Sequence, residues 1–230
     1  MITIITPTGG RHAAFELCEK YMFKQTLKYD EWLVVDDCIP RTKLKLGQTA
    51  IYPEKIWKEG DMTLTANLIT ALKEAKGDYI LIIEDDDYYS QNYIETMLKY
   101  LQKYDLVGEG RAKYYNIANH RCMIHNNMKH ASLCQTGFAK KLIPDIIKCI
   151  EANIAQKFID LEIWKLDCNK YIFEGENIAV GIKGMPGRDG LGYGHKDNMG
   201  KPDKKRWYTL RNWIGNDYKI YENLKCVQAN

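Results

Sequence analysis

The sequence predicts an α/β fold in which a mostly parallel central sheet carries helices on both of its faces. Short apolar runs that are typical of buried strands occupy residues 2–6, 31–37 and 78–84. Segments with a helical spacing of apolar residues lie between these runs, so that strands and helices alternate along the chain. Alternation of this kind favours parallel strands that are joined by right-handed helical crossovers.

The first half of the chain supplies the clearest elements. In chain order we predict a strand at 2–6, a helix at 11–28, a strand at 31–37, a helix at 61–75, a strand at 78–84, a helix at 91–104 and a fourth strand at 105–110. Asp61 is expected to cap the second helix, and Gly77 is expected to stop it. In sheets of this type, ligands gather beyond the carboxyl ends of the strands.

The second half is less regular. We predict strands or loops at 111–135, a helix at 138–153, a further helix beginning at 160, and a hairpin or pair of strands at 169–183. The segment 184–195 contains five glycines and one proline, which predicts a mobile loop. Because no clear linker interrupts the chain, we predict one domain over 1–195, followed by a C-terminal extension at 196–230.

Charge and cysteine usage exclude several classes of protein. The formal net charge of +3 is too small to indicate a nucleic-acid-binding protein by itself, although a local basic run, "KPDKKRW", begins at residue 201. Seven cysteines at scattered spacings, without a C-x-x-C pair, indicate reduced thiols rather than a disulfide framework or a zinc site. The sequence contains no signal-peptide pattern and no apolar run of membrane length, so we expect a cytoplasmic protein.

Acidic side chains collect where the predicted strands end. The second strand is followed by Asp36 and Asp37, and the third runs into Glu84, Asp85, Asp86 and Asp87. Four adjacent like charges repel one another unless they are solvated or a cation lies among them. Glu84 and Asp86 are two residues apart and are expected on the same side of an extended segment. The pattern therefore predicts a site for a hard divalent cation, Mg²⁺ or Mn²⁺, shared with substrate phosphates.

Several of these segments together resemble a known family. The stretch "AKGDYILIIEDDDYY" is similar to the D-x-D segment of family 2-like glycosyltransferases with the GT-A fold, and "IITPTGGR" and "LVVDDC" resemble the first two strands of that family. "IDLEIWKL" resembles its later E-D-x-x-L-W segment, so that the resemblance covers residues 1–166. Two positions depart from the family pattern: Glu84 replaces the first acid of the D-x-D, and Ile159 replaces the first acid of the E-D pair.

The resemblance implies a nucleotide-sugar donor. A UDP-sugar is the favoured donor because an Asp carboxylate can accept the N–H of a uracil ring. Residues 1–110 would form the donor-binding half, and residues 111–195 the acceptor-binding half with the Gly-rich loop. By resemblance, the donor would be contacted by Thr6, Pro7, Thr8, Arg11, Asp36, Asp37, Asn67, either Asp85 or Asp87, and Arg188. Arg11 is alternatively a solvated residue early in a helix.

The resemblance also implies metal ligands and a catalytic base. Asp86, assisted by Glu84, would hold Mn²⁺ or Mg²⁺, and His195 would be a third ligand at the end of the Gly-rich loop. Asp160 would take the proton from the acceptor hydroxyl, which implies transfer with inversion at the anomeric carbon. The alternative for Asp160 is a helix N-cap, and Glu162 is the alternative base.

The acceptor is expected to lie against the second half of the chain. The candidate contacts are Tyr114, Tyr115, His120, Arg121, His125, Gln135, Thr136 and Gly137. Two acceptor classes stay open: a glycan, or a hydroxymethylated base in DNA, as for a phage-type enzyme in an infected bacterial cell. Two rival functions also use clustered acids, namely a nucleotidyltransferase that makes a nucleotide-sugar and a non-enzymatic module that binds a divalent cation.

Overall fold

The computed structural model describes residues 1–188, 190, 195 and 199–224. The strands are β1 (Ile2–Thr8), β2 (Glu31–Asp36), β3 (Thr49–Ile51), β4 (Tyr79–Ile82), β5 (Tyr88–Tyr89), β6 (Leu106–Glu109), β7 (Lys113–Asn116), β8 (Arg121–Ile124), β9 (Thr136–Ala139), β10 (Lys170–Phe173), β11 (Ala179–Lys183) and β12 (Lys201–Pro202). The helices are α1 (His12–Phe23), α2 (Leu64–Glu74), α3 (Tyr93–Leu101), α4 (Ile143–Ala152), α5 (Ile159–Ile163), α6 (Tyr208–Ile214) and α7 (Tyr218–Glu222). The four strands predicted in the first half of the chain are therefore confirmed as β1, β2, β4 and β6.

The central sheet has seven strands in the order β10-β6-β9-β4-β1-β2-β3. β9 runs antiparallel to both of its neighbours, whereas the other pairings in the sheet are parallel. The prediction of a mostly parallel sheet is confirmed. The carboxyl ends of β1, β2 and β4 consequently meet at one edge, where the acidic residues follow the strands.

Alternation along the strands divides the core between the two faces of this sheet. Ile4 and Val34 belong to one hydrophobic cluster, with residues of α1 and α3. Their neighbours Ile5 and Val35 belong to a second cluster, with residues of α2, α4 and α5. Because successive side chains of a strand point to opposite faces, helices cover both sides of the sheet, as the sequence predicts.

A smaller second sheet stands beside the central one, in the order β12-β8-β7-β11-β5. Of the two arrangements predicted for 169–183, the structure has a pair of separate strands and not a hairpin. β10 pairs in parallel with β6 of the central sheet, whereas β11 pairs in parallel with β7 of the second sheet. The chain therefore crosses from one sheet to the other between these two strands.

Two element predictions need correction, and one strand was not predicted. The predicted helix at 138–153 begins as β9, because Phe138 pairs with both β4 and β6 inside the sheet. The edge strand β3 was not predicted, since it has only three residues, none of them fully buried, and shows no long apolar run. Asp61 does not cap α2: Thr63 precedes the helix, and the Asp61 carboxylate instead accepts the backbone N–H of Lys58.

The described C-terminal residues pack against the rest of the chain. Leu210, Ile214 and Tyr221 belong to the same hydrophobic cluster as Ile4 of β1. The Tyr221 hydroxyl accepts a 2.8 Å hydrogen bond from the hydroxyl of Tyr21 in α1. The core of the chain is thus completed by residues from 199–224.

Two sequence expectations concern residues only partly covered by the structure. The predicted mobile loop at 184–195 lies partly outside the described residues, and so does the seventh cysteine, Cys226. The six described cysteines are free thiols. Every helix among the described residues falls short of the length and apolarity that a membrane crossing requires.

Candidate active site

A cavity of about 680 Å³ opens between the carboxyl edge of the central sheet and the second sheet. Glu84, Asp86 and Asp87 line it from the turn after β4, and Asp160 lines it from α5. Tyr114 and Met123 contribute from β7 and β8 of the second sheet. The fold therefore brings the predicted acidic turn and the predicted base to the walls of one cavity.

Two cations of the protein lie among the four acids. The Arg11 side chain, at the start of α1, places Nη2 3.0 Å from Asp85 Oδ1, and its Nη1 donates to Asp86 Oδ2 at 2.6 Å. Lys183, the last residue of β11, places Nζ 3.5 Å from Asp87 Oδ1. The sequence pattern predicted a cation at this turn but not that side chains would supply part of the charge.

The acids of the turn differ in their ionisation. Burial raises the pKa of Glu84 to about 8, and the charge of Asp87 adds to the effect. Burial acts to raise the pKa of Asp86, but the charges of Arg11 and Lys183, with smaller contributions from His195 and a backbone hydrogen bond, together outweigh it and hold that pKa at about 2. Asp86 therefore ionises much more readily than Glu84 within this turn.

Asp85 and Asp87 are fastened to the scaffold. The Thr8 hydroxyl donates to Asp85 Oδ2 at 2.6 Å, and the backbone N–H of Ile182 donates to Asp87 Oδ1 at 2.8 Å. Asp87 nevertheless lines the large cavity, and its Oδ2 is buried without a hydrogen-bond partner among the described residues. The lining does not include Asp85, so Asp87 is the better placed of the two alternatives for contact with the donor.

The predicted metal ligands lie close to one another, although they do not form a tight cluster. His195 Nε2 lies 3.9 Å from Asp86 Oδ2. Burial lowers the pKa of His195 to about 3, with Lys183 adding to the effect, so its imidazole is neutral, as a metal ligand must be. The tight three-ligand group among the described residues is Glu84, Asp87 and Cys134, with ligand atoms within 4.8 Å of one another.

The chemistry of the ligand atoms distinguishes these two sets of residues. Mg²⁺ and Mn²⁺ prefer oxygen ligands, whereas Cys134 offers a thiol whose pKa burial raises well above its usual value. Asp87 is also engaged by Lys183 and by a backbone N–H. The carboxylates of Glu84 and Asp86 with the His195 imidazole therefore fit a hard divalent cation better than the set that contains Cys134.

A second, narrower cavity of about 50 Å³ adjoins the first and shares Arg11, Glu84 and Arg188 with it. Its wall also contains Pro7, Thr8, Asp37 and Asn67, which are predicted donor contacts. It extends the acidic site towards the start of α2.

Asp37 is the centre of this narrower cavity. Its Oδ2 accepts hydrogen bonds from the Thr63 hydroxyl and, at 2.8 Å, from Asn67 Nδ2. Its Oδ1 accepts from Arg188 Nη1 at 2.7 Å, and the Arg188 guanidinium lies 4.3 Å from the ring centroid of Trp57. A Cβ at Gly9 would stand 2.3 Å from Asp37 Oδ1, so this approach requires a glycine.

Two predicted donor contacts face elsewhere. The Thr6 hydroxyl accepts a 2.9 Å hydrogen bond from Trp32 Nε1 inside the sheet. The Asp36 carboxylate accepts the backbone N–H groups of Cys38 and Thr42, which closes the turn after β2. Neither residue lines either of the two cavities, so both predictions are corrected: these side chains stabilise the scaffold.

Asp160 has the environment of a proton acceptor. It lies in the first turn of α5, whose N-cap position is held by Phe158, so Asp160 is not the cap. Burial raises the pKa of Asp160 to about 6, although nearby backbone N–H groups oppose the rise. Glu162 is absent from the cavity wall and pairs with Lys165 at 2.8 Å, which removes it as the alternative base.

Only part of the predicted acceptor wall faces the cavity. Tyr114 and His125 line it, together with His130 and Phe158, which were not singled out from the sequence. Strand register explains Met123: it pairs with Tyr114 across β7 and β8, and paired residues share a face.

The remaining acceptor candidates point away from the cavity. Tyr115 and His120 pack around Trp207, and Arg121 donates to the carbonyls of Met199 and Gly200. Gln135, Thr136 and Gly137 are buried in or beside β9, where the Thr136 hydroxyl accepts from Trp164 Nε1. These six predictions are corrected in the same way, because none of the six residues lines the large cavity.

The fold and the site define a class of protein: an α/β domain of the GT-A type with an acidic turn after β4. The sequence profile described as "Glycosyl transferase family 2" matches residues 3–143, more than half of the chain. The chain belongs to this family.

Solved structures share the fold at low sequence identity. S. aureus TarS 1-349 in complex with UDP is 16% identical, with a TM-score of 0.59, over 79% of this chain and 60% of that one. The mannosyltransferase PcManGT from Pyrobaculum calidifontis, in complex with GDP-Man and Mn²⁺, is 15% identical, with a TM-score of 0.55, over 78% and 56%. A nucleotidyl transferase from Methanothermobacter thermautotroptrophicus is 14% identical, with a TM-score of 0.50, over 76% and 88%.

The present chain is shorter than the glycosyltransferases that it resembles. It spans 36% of the longer TarS structure and 60% of TarS 1-349. No curated protein matches the chain in sequence. The similarities therefore establish the family and the fold, and the substrates are inferred from the site.

Proposed function

We propose that the chain transfers a sugar from a nucleotide-sugar, best a UDP-sugar, to an acceptor hydroxyl with inversion at the anomeric carbon. The observation that carries the proposal is that Asp160 and the acidic turn at Glu84–Asp87 face the same cavity. A donor held at the turn and an acceptor beside Asp160 would then meet inside it. Such an arrangement suits a single displacement in which a base deprotonates the attacking hydroxyl.

The narrower cavity is the proposed site of the nucleotide. Asp37, Asn67 and Arg188 form a buried polar group there that can exchange its internal hydrogen bonds for those of a base or ribose. TarS is known in complex with UDP and with UDP-GlcNAc, and PcManGT with GDP-Man. These ligands support a nucleotide-sugar, and the carboxylate of Asp37 favours uracil, whose N–H it can accept.

Glu84, Asp86 and His195 are the proposed ligands of Mn²⁺ or Mg²⁺. When bound, the ion would supply positive charge for the departing diphosphate. Arg11 supports the same task, because its guanidinium already lies against Asp85 and Asp86 at the junction of the two cavities. Lys183 adds a second fixed positive charge on the opposite side of the turn.

The acceptor occupies the part of the large cavity that Tyr114, His125, His130 and Phe158 line. A glycan hydroxyl and a hydroxymethyl group on a DNA base are both compatible with this wall, because aromatic rings stack on sugars and on bases alike. A DNA base would have to leave the duplex to reach Asp160.

The test is a transfer assay with Asp160→Asn and a panel of UDP-sugars, Mn²⁺, and both acceptor classes. The variant should lose sugar transfer on the order of 100- to 10,000-fold, because the general base is gone. UDP-sugar binding, measured by calorimetry, should stay within about twofold, since Asp160 lies on the acceptor side. Anomeric analysis of the wild-type product should show inversion.

Glu162→Gln is the matched control, since it changes an acid two residues away on the same helix but outside the cavity. It should keep wild-type activity. An active Asp160→Asn enzyme would contradict the assignment of the base. Pyrophosphate release from a nucleoside triphosphate and a sugar phosphate, with no UDP release from UDP-sugars, would instead identify a nucleotidyltransferase.

A further inference from the structure

The turn from β12 into α6 is a concentrated positive surface. Its five exposed basic residues are Lys201, Lys204, Lys205, Arg206 and Arg211, which we call the basic strip. The segment 201–211 holds these five bases and one acid, a net charge of +4, whereas the whole chain carries +3. The rest of the chain is therefore slightly acidic, and the surplus positive charge lies in this one segment.

The charge of the basic strip is not neutralised locally. The ion pairs of the described residues include none of its five side chains. The acid of the segment, Asp203, is buried, and its Oδ2 accepts from the Tyr115 hydroxyl at 3.2 Å and from the Thr209 N–H at 2.9 Å. Asp203 thus anchors the turn and leaves the lysines and arginines facing solvent.

The strip is held in a fixed shape. Arg206 and Trp207 have φ angles of 27° and 64°, a left-handed conformation that costs a non-glycine residue about 1 kcal/mol or more. The Trp207 ring stacks on the Tyr115 ring, with 5.8 Å between the ring centroids. The backbone N–H of Trp207 donates a 3.0 Å hydrogen bond to the Tyr115 hydroxyl. These contacts compensate for the strain and fix the cations against the second sheet.

One end of the basic strip lies next to the large cavity. β12 pairs with β8, so that Lys201 stands opposite Cys122. The next residue of β8, Met123, lines the cavity, and so does His125 just beyond the strand. Because paired strands are about 5 Å apart, Lys201 is one strand away from the cavity wall. The rest of the strip flanks Trp207, which packs on Tyr115 on the face of the second sheet that points away from the cavity.

The chemistry of the strip favours a nucleic acid. The Tyr208 ring is 54% exposed, and Lys205 Nζ lies 5.4 Å from its centroid, so that a stacking surface stands among the cations. Cations with an interleaved aromatic ring match a phosphodiester chain that also presents bases. An anionic membrane fits less well, because Leu210 and Ile214, the aliphatic residues of α6, are buried.

We propose that the basic strip binds the phosphodiester backbone of a nucleic acid, one of whose bases carries the acceptor hydroxyl. The proposal rests on the proposed function for the identity of the cavity as a transfer site. The binding itself depends only on the strip and is measurable without turnover.

The test compares two triple variants of equal charge change. K201Q/K204Q/K205Q alters the basic strip, whereas K24Q/K73Q/K148Q removes three exposed lysines elsewhere that join none of the ion pairs of the described residues. Binding of fluorescein-labelled duplex and single-stranded DNA is followed by anisotropy between 50 and 200 mM NaCl. With about four phosphate contacts, wild-type affinity for the duplex should fall on the order of 100-fold over this range.

The strip variant should bind at least tenfold more weakly at 50 mM NaCl, and its salt slope should become shallower by about 1 for each phosphate that the strip no longer neutralises. The control should stay within about twofold of wild type. Equal weakening in both variants, or binding only to vesicles of anionic phosphatidylglycerol, would overturn the proposal. If UDP is released from UDP-sugars but no DNA is bound, the nucleic-acid proposal is overturned and the proposed function stands. If DNA is bound but no UDP is released, the proposed function is contradicted and the nucleic-acid proposal stands.

Discussion

At the scale of single residues, the surroundings of an acid decide its role. Asp160 and Glu162 stand two positions apart in the five-residue helix α5, yet only Asp160 reaches the cavity. Burial raises the pKa of Asp160 to about 6, whereas Glu162 pairs with Lys165 at the surface. One helical turn thus carries an acid with a raised pKa on the side that faces the cavity and an ion pair on the side that faces solvent.

This pKa predicts the acidic limb of the pH profile. Only the ionised Asp160 can accept a proton, so kcat/KM should rise about tenfold per pH unit below about pH 6 and level off above it. Initial rates between pH 5 and 8 at constant Mn²⁺ would measure the limb. Burial also raises the pKa of Asp85 to about 6, so the profile alone does not identify the group. Asp160→Glu serves as the control. If the midpoint of the acidic limb is unchanged in that variant, the limb belongs to a group other than Asp160.

Residues also mark where sequence patterns stop being informative. The acids after β4 and Asp160 could be predicted because each follows a strand or sits in a recognisable segment. Lys183 could not, because its position beside Asp87 depends on β11 joining the second sheet in a specific register. Thr6 and Asp36 were assigned to the site because they end strands, but whether a strand-end side chain faces the cavity or the scaffold depends on the tertiary fold.

At the scale of elements, the antiparallel strand β9 connects the core to α5, the helix that carries Asp160. Its last two residues, Phe138 and Ala139, were predicted as helix, and only the pairing with β4 and β6 identifies the segment as a strand. Its Thr136 accepts a hydrogen bond from Trp164, the residue that ends α5. The position of Asp160 therefore depends on the packing of Trp164.

Gly108→Ala should disturb this packing. A Cβ at Gly108 in β6 would lie 2.4 Å from the Ala131 Cβ and 2.8 Å from Trp164 Cζ2. We expect a loss of about 1–3 kcal/mol in the free energy of unfolding, measured with urea, and a lower kcat because α5 must shift. Thr49→Ala on the exposed edge strand β3 should change stability by less than about 0.5 kcal/mol. Unchanged stability and rate for Gly108→Ala would show that the core can absorb the methyl group.

At the scale of the whole molecule, the chain completes its core with residues far from the family-defining segments. The matching profile ends at residue 143, yet α6 and α7 supply side chains to the cluster that contains β1 and α1. The alternating strands and helices predicted the central sheet, since their periodicity is local. The second sheet and the packing of the C-terminal residues were not predicted, because both depend on contacts between distant segments.

Leu210→Ala tests this integration. Leu210 is fully buried in α6, so its truncation should lower the free energy of unfolding by about 2–5 kcal/mol in a single cooperative transition. Asn212→Ala, an exposed position on the same helix, should lie within about 0.5 kcal/mol of wild type. A separate early transition in Leu210→Ala, with the main transition unmoved, would show that the C-terminal residues fold independently.

The two side-chain cations in the acidic turn have a consequence for how the proposed divalent metal ion would bind. Arg11 and Lys183 already offset part of the repulsion among Glu84, Asp85, Asp86 and Asp87. The turn can therefore keep its shape between reaction cycles without a resident metal. Under the proposed function, the acids would then bind Mn²⁺ or Mg²⁺ together with each sugar nucleotide, rather than hold the ion as a permanent part of the protein.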